Sequence, residues 1–197
     1  VHAFPDKNPA AHAEQVKTFK EVFAAVRPDV PLVCVCGNHD IGERPTPDTL
    51  AGWRGGFGAD RFVFWVGSED KYIVINSQLY KDAAGAPEEA AAQDAWLEQA
   101  LKERPPPEEE DEAAAGGGAD DQDQLLRKQQ ARRQRRRQRR RRTAARRTVI
   151  LSHIPPFISD PLEASGYFPL ARDVRLRLLQ RAAKGGASHW FAGHYHR

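Results

Sequence analysis

A chain of 197 residues, 40% hydrophobic and with a formal charge of +3, has the length and apolar content to bury one core, and one globular domain is the expected organisation. No apolar run approaches the roughly 18 residues a bilayer-spanning helix needs, and the first residues lack the basic, apolar, small-residue order of a secretory signal. Cys34 and Cys36 lie two apart in an apolar run. In a strand they would point the same way and pair poorly with each other, so both are expected as reduced, buried small hydrophobes in a cytoplasmic protein.

In chain order, the first expected element is an amphipathic helix over Ala10 to Arg27, with Val16, Phe19, Phe23 and Val26 at helical spacing and Pro28 stopping it. Val30 to Cys36 is near-continuously apolar and too short for most helices, which predicts a strand covered on both faces and ended by Gly37. Thr46 and Pro47 supply an N-cap and a first helical residue for a short helix through Trp53. Phe62 to Val66 and Tyr72 to Asn76, separated by Gly67 to Asp70, read as a hairpin. The alanine-rich stretch Glu88 to Glu103 predicts a helix with Ala92, Trp96 and Ala100 on one face.

The charge is unevenly distributed. From Pro105 to Thr148 there are 13 Lys and Arg against 8 Asp and Glu, a balance of +5, whereas the remainder holds 17 against 19. Three prolines, an acidic run from Glu108 to Glu112, Gly116 to Gly118 and an arginine and glutamine tract from Arg127 to Arg147 follow one another. Residues 105–148 are therefore expected to be a solvated, low-complexity insertion that interrupts the domain. Its arginines suit RNA or another polyanion, yet the tract carries no aromatic residue on which a base would stack. Tolerated surface sequence explains it as well. Beyond it, Val149 to Leu151 predicts a strand, Leu170 to Lys184 an amphipathic helix, and His189 to Ala192 a further strand. The order is that of an α/β domain with antiparallel pairing at the hairpin.

Histidines stand at three strand-to-loop junctions: Gly37-Asn38-His39-Asp40, Ser152-His153, and Gly193-His194-Tyr195-His196. Sites in open α/β sheets collect at the carboxyl ends of strands, where loops converge on one crevice. His194 and His196 lie two apart, so both imidazoles can project to one side of an extended segment. Imidazoles mixed with an asparagine carbonyl and a carboxylate suit borderline metal ions rather than calcium, and a two-metal hydrolase fits the set. His2, His12 and His189 have no such company and read as ordinary polar or core residues.

In this order and at strand ends, Gly37 to Asp40, His153 and Gly193 to His196 resemble the third, fourth and fifth signature motifs of the calcineurin-like metallophosphoesterases. The likeness extends to Ile41-Gly42, Asn76-Ser77-Gln78, Ile154-Pro155 and Arg197. It implies a β-sandwich flanked by helices and a pair of divalent or trivalent metal ions of the Mn, Fe or Zn class. Asn38, His153 and His194 would hold one ion and His196 would belong to its neighbour. His39 would be no ligand but the stabiliser of the scissile phosphate and proton donor to the leaving oxygen, with Asp40 orienting it. A hydroxide shared by the two ions would attack phosphorus.

One departure stands out. The family's first two motifs, Asp-x-His and Gly-Asp, occur nowhere in this chain, which begins with Val1 and contains no methionine. The sequence is therefore expected to be a partial domain, incomplete at both ends, and inactive or weak alone. The resemblance favours a serine/threonine phosphoprotein phosphatase, with phosphoprotein as substrate. A nucleotide or phosphodiester hydrolase on the same scaffold is the alternative, and a non-catalytic module that binds polyanions through the arginine tract is a third reading.

Overall fold

A computed structural model describes residues 3–67, 69–105, 145 and 147–196. The elements in chain order are α1 (Pro9–Phe23), α2 (Asn38–Ile41), α3 (Pro47–Phe57), β1 (Phe62–Val66), β2 (Asp70–Val74), α4 (Gln78–Lys81), α5 (Pro87–Lys102), β3 (Arg147–Ser152), α6 (Arg172–Lys184) and β4 (His189–Ala192). Among the described residues no helix is long and apolar enough to cross a membrane.

The strands form one sheet in the order β1-β2-β3-β4. β1 and β2 are the expected antiparallel hairpin, while β2, β3 and β4 run parallel to one another. This is the mixed α/β architecture that the order of elements implies, a sheet flanked by helices. Val63, Ile73, Ile150 and Trp190 lie opposite one another in register, on one face of the sheet. That face packs against Leu97, Ala100 and Leu101 of α5 and Leu178 and Ala182 of α6. A second cluster, Cys36, Ile41, Leu50, Trp53, Leu79 and Ala86, joins α2, α3 and α4 beside the site. Both cysteines are free thiols, Cys36 fully buried and Cys34 partly so.

Local signals account for most of these elements. Thr46 caps α3, its hydroxyl accepting from the Thr49 N–H at 3.3 Å with Pro47 at the first helical position. Asn8 caps α1 through the Ala11 N–H at 3.1 Å. Lys71 points its ammonium at the end of α5, donating to the carbonyls of Ala100, Leu101 and Glu103 at 2.9, 2.9 and 3.1 Å. It thereby satisfies acceptors that a helix leaves open at its C-terminus.

Several expectations are corrected. Val30 to Cys36 is not a strand, and Val30 and Leu32 are half exposed. A strand exists only through its ladder partner, and among the described residues this stretch has none. α1 ends at Phe23 rather than Arg27 and buries no residue. Its Phe19 instead stacks on Phe23 and meets Phe57 edge-on.

On α5 the buried face is Gln93, Leu97, Ala100 and Leu101, while Ala92 is exposed. Gln93 belongs inside because its amide pairs with both backbone groups of Asn76, at 2.9 Å each. β3 opens at Arg147, within the segment read as insertion. Of residues 105–148, all but Pro105, Ala145, Arg147 and Thr148 lie outside the described residues.

Candidate metal centre

Because β2, β3 and β4 are parallel, their carboxyl ends deliver consecutive loops to one edge of the sheet. Ser152 and Ala192 are register partners. The Gly193 N–H donates to the His153 carbonyl at 3.0 Å, carrying the pairing one residue past the strands. His153 and His194 therefore leave adjacent strand ends together. At the end of β2, the Ile75 N–H donates to the Leu151 carbonyl, and the Ser77 hydroxyl accepts from the Ile154 N–H at 2.8 Å. Asn76 is anchored in turn, donating to Asp60 at 3.0 Å and accepting from the Gln78 N–H at 3.2 Å. Asn76-Ser77-Gln78 thus acts as a buttress under His153.

Asn38 arrives from the other side. Gly37, in extended backbone with φ −120° and ψ 179°, caps the single helical turn α2, and the Asp40 carboxylate accepts the Gly37 N–H at 2.8 Å. The closeness of Gly37 to His153 requires glycine, since a Cβ there would lie 2.8 Å from Cγ, Nδ1 and Cε1 of the imidazole. Asn38 is buried, 1% exposed.

Three donor atoms converge as a result. Asn38 Oδ1 lies 3.0 Å from His153 Nε2, and His194 Nδ1 lies 3.1 Å from that same nitrogen. His194 holds a left-handed backbone, φ 67°, a strained state for a non-glycine residue and of a kind that clusters at functional positions. Burial, reinforced by His194, His39 and His196, pushes His153 down to about 4. Burial also lowers His194, against the opposing pull of Glu43. In both, burial favours the neutral imidazole, the form that can bind a metal.

The sequence-predicted residues are thus brought together in part. Asn38, His153 and His194 meet. His196 is exposed at their margin, near enough that its charge opposes protonation of both other histidines. The His39 ring is stacked on Phe4 with centroids 4.1 Å apart, and its charge opposes protonation of His153. Asp40 is raised from the ordinary carboxylate range, chiefly by burial, while the Gly37 N–H and the His39 charge act against that rise.

Among the described residues no group of three or more His, Cys, Asp or Glu is placed to hold a metal. The trio is two imidazoles and an amide, and it fits a borderline cation as one side of a coordination sphere that needs further oxygen ligands and charge.

Three neighbours were not singled out from the sequence. Glu43 Oε1 accepts from Asn38 Nδ2 at 2.9 Å and from the Tyr167 hydroxyl at 3.1 Å. The Tyr167 and Phe168 rings flank the His194 ring, at 5.3 and 5.6 Å between centroids. Lys81 fixes the loop that carries them, donating to the carbonyls of Gly166, Tyr167 and Pro169 at 2.7 to 2.8 Å. Nothing in composition or spacing marks a tyrosine 129 positions from the asparagine it approaches.

No protein-family model matches the chain. Over its whole length it is 34% identical to a zebrafish (Danio rerio) protein named serine/threonine-protein phosphatase CPPED1, and 32% identical to proteins of that name from cattle (Bos taurus) and human (Homo sapiens). It spans about half of each relative: 51%, 50% and 51% of their lengths.

Proposed function

We propose that the chain belongs to the calcineurin-like phosphoesterases, in keeping with its 32–34% identity to the phosphatases it matches, and that the protein of which it is part is a metal-dependent phosphoester hydrolase acting on phosphoserine and phosphothreonine in proteins. The observation that carries this reading is the convergence of Asn38 Oδ1, His153 Nε2 and His194 Nδ1, neighbours at 3.0 and 3.1 Å, from three separate loops.

In this reading Asn38, His153 and His194 would hold one cation of the Mn, Fe or Zn class, and His196 would belong to its neighbour. A pair of such cations supplies, when bound, a nucleophile made from water at neutral pH and neutralisation of charge on the phosphoryl oxygens. The protein groups do the rest. Strand ends and the Ser77 buttress hold the imidazoles in place. His39, stacked on Phe4, would stand beside the phosphate, its positive form stabilising developing charge. It hands its ring proton to the alkoxide that leaves from serine or threonine, and Asp40 steadies that positive form.

The test is turnover by the longer protein, of the length of its relatives, on phosphoserine and phosphothreonine peptides beside nucleotides and phosphodiesters, with Mn, Fe and Zn supplied in turn. Metal-dependent release of phosphate from the peptides, abolished in His39→Ala, is expected. Turnover confined to nucleotides or diesters would move the substrate assignment, and metal-independent turnover would overturn the reading.

A further inference from the structure

An asparagine side chain has one acceptor end and one donor end, and only the acceptor end can bind a metal. Which way the amide points is decided by its partners. In this fold the donor end of Asn38 meets Glu43 Oε1 at 2.9 Å. A carboxylate can only accept, so that contact is favourable in one orientation alone. Turned over, the amide would set its oxygen against the carboxylate oxygen and its NH2 against His153.

Glu43 is itself fixed from three sides. Gly42, with φ 87°, folds the chain back after α2 in a conformation that side-chain-bearing residues rarely adopt. Gln78 Nε2 donates to the Glu43 carbonyl at 2.6 Å, and Gln78 is buried. The Tyr167 hydroxyl donates to the same Oε1 that receives Asn38, and Lys81 holds the Tyr167 loop in place.

We propose that Glu43 is a positioning residue for Asn38: its carboxylate, braced by Tyr167 and carried on a backbone that Gln78 holds, locks the amide so that Oδ1 faces His153 and His194. This rests on the reading of those three residues as metal ligands. Partners that orient a ligand in this way typically carry 10- to 100-fold in metal affinity.

The experiment compares Glu43→Gln with Glu43→Met in the longer protein, of the length of its relatives. The two are close in length and differ in whether an acceptor oxygen remains. With Co(II) as the probe, E43M should bind about 10- to 100-fold more weakly than wild type, and E43Q within about threefold of it. In an Asn38→Asp background, which offers oxygen in either orientation, adding E43M should cost less than threefold. Loss in E43M that persists undiminished beside N38D, equal loss in E43Q and E43M, or no loss in E43M would each overturn the proposal.

A metal-free measurement accompanies it. Nuclear Overhauser contacts between the Asn38 side-chain NH2 and the Tyr167 ring are expected in wild type and E43Q and are expected to be lost in E43M. Their absence from wild type would refute the locked orientation, even if E43M failed to fold. Should wild type take up no Co(II), the metal-site reading would fall, while these contacts would still decide whether Glu43 orients Asn38.

Discussion

Gly37→Ala isolates the geometry of the site from the stability of the fold. The backbone at Gly37, φ −120° and ψ 179°, is open to alanine, so the added methyl acts through contact alone. It would lie 2.8 Å from three atoms of the His153 ring, whereas ordinary contact begins near about 3.5 Å. The ring must retreat by about 0.7 Å, and it cannot carry its backbone along, because Ile154 and Gly193 are bonded on either side of it.

Overpacking of this kind costs about 1–3 kcal/mol, offset by about 0.4–1 kcal/mol from the smaller freedom of alanine in the unfolded chain. A net loss of about 1–2 kcal/mol in urea unfolding is therefore expected. Metal–ligand distances tolerate only about 0.2 Å, so Co(II) affinity should fall by more than about tenfold in the still-folded variant. Wild-type affinity in folded Gly37→Ala would refute the account of how His153 is placed.

Asn38→Ala should lower metal occupancy, measured by elemental mass spectrometry, whereas His39→Ala should leave occupancy intact and reduce turnover of the longer protein by about 10²- to 10⁴-fold. Lys71→Met leaves the carbonyls of Ala100, Leu101 and Glu103 without their cation. It should cost about 2–3 kcal/mol in urea unfolding, and an unchanged midpoint would contradict the capping role. Glu89 is held at about 2, chiefly by its hydrogen bonds from Arg54, against 4.5 for an ordinary glutamate. A lowered carboxylate stabilises the fold above pH 4.5 and loses that contribution as pH falls toward about 2. Screened by solvent, the contribution is about 1 kcal/mol, and Glu89→Gln should flatten acid unfolding across that window.

What the sequence made legible was local. The cap at Thr46, the hairpin, the strand at His189 and the helix ending at Lys184 all follow from neighbours within a few positions, and the structure has them. Val30 to Cys36 was misread because apolarity alone does not make a strand, which is a property of pairing. α2 was invisible because four residues are too few to show a helical period. The start of β3 was hidden because Arg147 sits in an arginine-rich run. Its role is set across the sheet by Asp70, its register partner, whose carboxylate accepts from Arg147 Nε at 2.8 Å.

The same division runs through the site. The junctions at Asn38, His153 and His194 stood out because each follows an apolar run, and their role as ligands came from the resemblance of the three motifs to those of the family. Glu43 and Tyr167 did not stand out, since their partnership spans 124 positions and only the folded loops reveal it. The insertion offers a third case, for its composition is plain while most of it lies outside the described residues.

The central claim, that Asn38, His153 and His194 form one side of a metal site, is tested most directly by X-ray absorption of the chain loaded with Zn(II) or Mn(II). The spectrum should contain imidazole ligands, their number should drop in His153→Ala and in His194→Ala, and affinity should fall with it. A bound metal with no imidazole in its coordination sphere, or wild-type affinity in both variants, would contradict the claim.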